Sequence, residues 1–150
     1  MTKIDLQDQL KQSMLSRDEL RTSVLRMLLS AINYYEIQKG GAGYTATEED
    51  VLTVTGTQAK QRKDSIEQFK QAQRPDLADK EQKELEILSA FLPAQMSDEE
   101  ITKLVKEAIS QTQASSMQDI GKIMGVLMPK IKGKADGNLV NTIVRKELTS

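Results

Sequence analysis

The sequence predicts an all-α protein: a four-helix N-terminal domain followed by a small three-helix C-terminal domain. Three observations carry that prediction. Apolar residues recur at three- and four-residue steps in nearly every segment, and no stretch alternates with the period of two that a half-buried strand needs. Ser, Thr or Asp opens most of these segments, with acids close behind, as a helix N-terminus favours. The run Gly40 to Gly43, Pro75 and Pro93 fall at the joints.

The first helix covers Ile4 to Leu15, with Ile4, Leu6, Leu10, Met14 and Leu15 at mixed helical steps. Ser16 then begins SRDE, which has the form of a capping box with Glu19 three residues on. The second helix follows, with Leu20, Val24, Met27, Leu28, Ala31, Ile32 and Tyr35 on one stripe, and the glycines from 40 to 43 end it. Thr47, followed by Glu48, Glu49 and Asp50, opens a third helix that reaches about Gln73. Its middle, VLTVTGTQ, is poor helix material, being β-branched and carrying Gly56, yet Val51, Val54, Ile66 and Phe69 keep a usable face. Arg74-Pro75-Asp76 breaks the chain, and Leu77 to Leu92 forms a fourth helix carrying Leu77, Leu85, Leu88 and Phe91.

Residues 93 to 96 make the clearest boundary, dividing an N-terminal domain of residues 1–93 from a C-terminal domain of residues 97–150. Ser97 with Glu100 is another capping box, and Ile101, Leu104, Val105, Ala108 and Ile109 follow in register. Ser116 with Asp119 opens the next helix, with Ile120, Ile123, Met124 and Leu127 inward. Asp136 caps the last, which holds Leu139, Val140, Ile143, Val144 and Leu148.

Composition narrows the chemistry. Hydrophobic residues make up 38% of the 150 positions with no Trp and two Phe, so the core must be aliphatic. There is no Cys and no His, which removes thiolate chemistry and the commonest general base and metal ligand. No metal and no cofactor is expected. The formal charge of −1 gives no global nucleic-acid signature, so such a partner would have to be met by a local patch. No apolar run approaches the ~18–20 residues of a membrane span, and MTKIDLQDQLKQ is not a signal peptide. These absences lead to the expectation of a cytoplasmic protein with no membrane partner.

A catalytic constellation is not found. Ser115 and Ser116 upstream of Lys122 could be taken for a serine–lysine pair, but a helix cap accounts for the serines, and no glycine-rich turn nearby offers an oxyanion hole. Gly121 and Gly125 share a helix face, where they admit either a neighbouring helix or the backbone of a ligand; close packing is the expected role. Lys130, Lys132 and Lys134 form a basic loop with no acid until Asp136, and Lys122 stands near it. Lys60, Arg62 and Lys63 make a second candidate basic patch at mid-helix, with Asp64 and Glu67 following as local ion-pair partners.

Three separated segments, KQRKDSIEQF (60–69), RPDLADKEQKELEILSAFLP (74–93) and GKIMGVLMPKIKGKADGNLV (121–140), resemble the YqeY family in the wider GatB/YqeY group. The stretch VLTVTGTQ departs from the charged, strongly helical sequence usual there. The resemblance implies a C-terminal domain similar to the tail domain of the GatB subunit of glutamine-dependent aminoacyl-tRNA amidotransferases, carbon–nitrogen ligases that use glutamine as amido donor. That tail contacts tRNA, while the chemistry belongs to other domains and subunits. The implied protein is a non-catalytic accessory that binds tRNA, aminoacyl-tRNA included. Lys122, Lys130, Lys132 and Lys134 would meet phosphate, and Gly121, Gly125, Gly133 and Gly137 would admit the RNA backbone. The N-terminal helices would dock a protein partner. The alternative is a protein–protein adaptor with no RNA binding of its own.

Overall fold

Seven helices form along the apolar steps, and a side-chain oxygen caps the start of most of them. The computed structural model describes residues 1–150, and no strand is present. The helices are α1 (Lys3–Leu15), α2 (Glu19–Gly40), α3 (Glu48–Gln71), α4 (Pro75–Ser89), α5 (Asp98–Thr112), α6 (Ile120–Ile131) and α7 (Gly137–Thr149), with a short 3-10 turn at Met117–Asp119 leading into α6. They form two compact units, Met1–Leu92 and Pro93–Ser150.

In the first unit α1 lies on α2, and α3 on α4, with α2 also meeting α3 and α4. Leu6, Val24, Leu25, Leu28, Ile32, Val51, Val54 and Leu88 form its main core. Ala59, Ile66, Ala78 and Leu85 form a second cluster between α3 and α4. The capping residue of α2 is Asp18, whose carboxylate accepts the Arg21 N–H at 3.0 Å, and not Ser16. Ser16 is taken up in closing α1: its N–H donates to the Gln12 carbonyl, and Arg17 then turns left-handed at φ 58° before α2 can begin. The apolar stripes are also narrower than their sequence suggests. Met27 is 49% exposed, and α1 leaves Ile4, Met14 and Leu15 largely in solvent while burying Leu6.

α3 runs unbroken through VLTVTGTQ. Val51, Val54 and Thr55 are buried there, and the Thr55 hydroxyl donates back to the Val51 carbonyl at 2.7 Å. Tertiary burial of one face outweighs the poor local propensity. α4 starts at Pro75, two residues earlier than the apolar pattern suggests, because proline's fixed φ suits the first helical position.

In the second unit α5, α6 and α7 pack against one another around Ile101, Val105, Ala108, Ile123, Leu127, Ile131, Val140 and Val144. Ser97 closes a full capping box with Glu100. Leu139 faces outward at 39% exposure, and Val140 takes the inward place beside it.

Candidate nucleic-acid interface

α6 commits one face to the core and leaves the other open. Ile123, Leu127 and Ile131, four residues apart, are fully buried, whereas Gly121, Lys122, Gly125, Met128 and Lys130 are exposed. A Cβ built on Gly121 or Gly125 would meet nothing within 4 Å. The packing role expected for this pair is therefore corrected: no neighbour comes close. Each glycine costs the helix about 1 kcal/mol relative to alanine without returning an internal contact. Pro129 lies inside the last turn and has no N–H to give the carbonyl of Gly125, four residues back.

Lys130 is in that last turn, not in a loop, and Lys132 is the C-cap of α6. The following turn is held on several sides. Gly133 stands at φ 75°, a conformation that favours glycine. The N–H groups of Lys134 and Ala135 both donate to the Ile131 carbonyl, at 2.8 and 3.1 Å. Met96 N–H donates to the Lys134 carbonyl at 2.9 Å, and the Gln95 side-chain amide donates to the Gly133 carbonyl at 3.0 Å. Asp136 accepts the Asn138 N–H at 2.9 Å and so caps α7, whose first residue is Gly137; a Cβ there would again meet open space. A basic turn anchored in this way presents its lysines at defined positions.

Lys130 and Lys134 are both exposed. Lys122, whose side chain is 75% exposed, reaches the Asp119 carboxylate at 3.9 Å. Asp119 also accepts the N–H groups of Ser115 and Ser116, at 3.1 and 3.3 Å, and the Ser115 bond leads in holding its carboxyl below the usual range. The serines thus belong to the start of a helix, and the lysine is directed at the acid that caps it.

The second basic patch is corrected. Arg62 is buried at 6% exposure; its Nη1 donates to the Glu84 carboxylate and to Glu81 at 3.0 Å, and its Nη2 lies 3.6 Å from the Met27 sulfur. Lys63 is exposed and Lys60 half-buried, so the three do not share a solvated face. The signal was present in the sequence: Arg62 falls on the same stripe as Ala59 and Ile66, and Glu81 and Glu84 stand three apart on α4.

One polar cluster escaped the sequence reading, which saw Asp50 only as a dipole-favoured acid. Asp50 is buried and accepts from Lys39 Nζ at 2.5 Å, Tyr44 OH at 2.6 Å and Thr47 N–H at 3.0 Å. The Lys39 ammonium, then the Tyr44 hydroxyl, hold its carboxyl well below the usual range. Beside it Glu36 accepts from Lys3 at 2.6 Å and from the Ala46 N–H at 2.8 Å, and the Lys3 bond leads in lowering its pKa. With their oxygens occupied, these two acids staple the α2–α3 connection and have no site geometry. Nowhere do three His, Cys, Asp or Glu side chains converge as a metal cage, and no helix is long and apolar enough to cross a membrane.

The family profile described as Yqey-like protein matches residues 3–148, nearly the whole chain. The chain belongs to the YqeY family. Among similar proteins, one of Clavispora lusitaniae named altered inheritance of mitochondria protein 41, mitochondrial, is 37% identical over 109 residues, covering 71% of this chain and 61% of that protein. A protein of the same name from Saccharomyces cerevisiae is 32% identical, covering 80% of this chain and 66% of its own length. An uncharacterised protein of Schizosaccharomyces pombe is 40% identical over 93 residues, covering 62% of this chain and 73% of that one. This YqeY chain thus spans somewhat under two thirds of the mitochondrially named relatives. Their names correct the cytoplasmic expectation: it rested on missing signals alone, and missing signals assign no compartment.

Proposed function

We propose that this YqeY protein is a non-catalytic accessory factor that binds tRNA, aminoacyl-tRNA included, through the open face of α6 and the basic turn after it. The observation that supports this most is the pair of outward-facing glycines. Gly121 and Gly125 weaken α6, serve no internal packing, and leave a flat strip of helix backbone beside Lys122, with Lys130 in the last turn and Lys134 in the turn that follows. RNA is recognised largely by shape and through its phosphates and 2′-hydroxyls. The lysines supply phosphate contacts. Lys132 at the helix end and Gly133 in the turn complete the strip.

The glycine face provides the test. Gly121→Leu and Gly125→Leu fill open space, so the thermal midpoint should hold or rise. Affinity for unfractionated tRNA, read by fluorescence anisotropy, should fall about ten-fold or more as the side chains hold the RNA backbone away. Full tRNA affinity in both variants would contradict the proposed face.

A further inference from the structure

We infer that the exposed seam of α2, with the groove at its N-terminal end, is a docking surface for an acidic amphipathic helix of a partner protein. Ser23, Met27, Ser30, Tyr34 and Ile37 follow one another at steps of four, three, four and three, the a/d spacing of a two-helix seam. All five are exposed, and the large ones heavily so: Met27 49%, Tyr34 66% and Ile37 65%. The opposite side of α2 is already used, with Val24, Leu25, Leu28 and Ile32 in the core. A surface helix ordinarily carries one apolar stripe; α2 carries a second, in which Met27, Tyr34 and Ile37 stay exposed although Arg62 reaches the Met27 sulfur.

The chemistry of the partner is read from the charges. Where the seam meets the end of α1 it opens into a groove of about 600 Å³, with Met14 and Met27 in its wall and Arg17, Arg26 and Glu19 among the lining residues. Methionine pairs of this kind repack around varied side chains. Arg17 and Arg26 form no ion pair with a carboxylate; the Arg26 guanidinium donates to the Met14 sulfur at 3.9 Å. Between Ser23 and Gln38 the sole other charge, Glu36, is turned inward and bonded to Lys3. The seam is apolar, and at its end the two arginines outnumber the one acid Glu19, so the helix that fits it carries acids beside its apolar stripe. A second copy of the chain does not supply them. In an antiparallel pairing centred on Ser30, Arg26 would stand opposite Tyr34, and in a parallel pairing opposite another Arg26.

The test titrates the full chain into three fluorescein-labelled synthetic helices of about three heptads each. One has Leu at a and d with Glu at the flanking positions, one has the same apolar stripe with Lys flanks, and one is a scramble of the acidic peptide. The acidic helix should bind, and the other two should bind about ten-fold more weakly or worse. Tyr34→Ser with Ile37→Ser should cost a similar factor, and Arg17→Gln with Arg26→Gln should erase the preference for acidic over basic flanks. All four positions are exposed, and circular dichroism of each double variant confirms that the fold is kept. Failure of the acidic helix to bind, equal binding of the scramble, or indifference to either double substitution would overturn the inference. Dimerisation of the parent in sedimentation velocity that Tyr34→Ser with Ile37→Ser abolishes would overturn it too, assigning the seam to a second copy.

Discussion

Buried charge separates two residues that sequence alone treats as ordinary surface. Arg62 sits between the buried Glu84 and the half-buried Glu81, so its removal leaves the Glu84 carboxylate buried without its cation. Arg62→Ala should destabilise the first unit by about 3–5 kcal/mol in urea titration, far more than a surface lysine such as Lys63→Ala. Asp50 responds to pH. Its folded pKa is depressed below the ordinary 3.8, so it stabilises the fold above that value, and the contribution is lost as pH falls from there through the folded value. Asp50→Asn should lower the melting temperature near neutral pH, and parent and variant should converge as pH falls below about 3.8. A gap between them that stays constant down to acid pH would mean that the carboxylate's charge is not what the cluster uses.

At the scale of elements, helix type and order were legible because aliphatic periodicity and oxygen caps are local signals. Thr47, Ser97 and Asp136 cap the helices they were expected to cap. Illegible were features decided by a neighbour. Ser16 and Asp18 are both good caps, and only the left-handed Arg17 that closes α1 selects Asp18. VLTVTGTQ stays helical because Val51 and Val54 have a core to enter, which propensity does not register. Gly121 and Gly125 advertise close approach, but whether a helix of the same chain or a ligand makes that approach depends on where α5 and α7 lie. They lie on the other face, so the glycines' role passes from the interior to the surface.

The whole molecule consists of two units with separate aliphatic cores, and each proposed surface lies within one of them. The segment from Pro93 holds its own core, its own Ser97 capping box and the Met96–Lys134 bond that ties its start to the basic turn. Residues 93–150 expressed alone should therefore show helical circular dichroism and a cooperative melt at low temperature, with the modest stability of a small core. A coil spectrum under those conditions would mean that this core needs the first unit. If the lysines around the end of α6 meet RNA phosphate, salt weakens that contact. Full-length parent and the triple variant Lys130→Gln, Lys132→Gln, Lys134→Gln are titrated with tRNA at several salt concentrations. The variant should bind more weakly, with a log affinity–log salt slope shallower by up to about two, since each lost phosphate contact removes roughly 0.7 from the slope. Equal affinity and equal slope in the two proteins, or no tRNA binding by the parent, would contradict the phosphate contact.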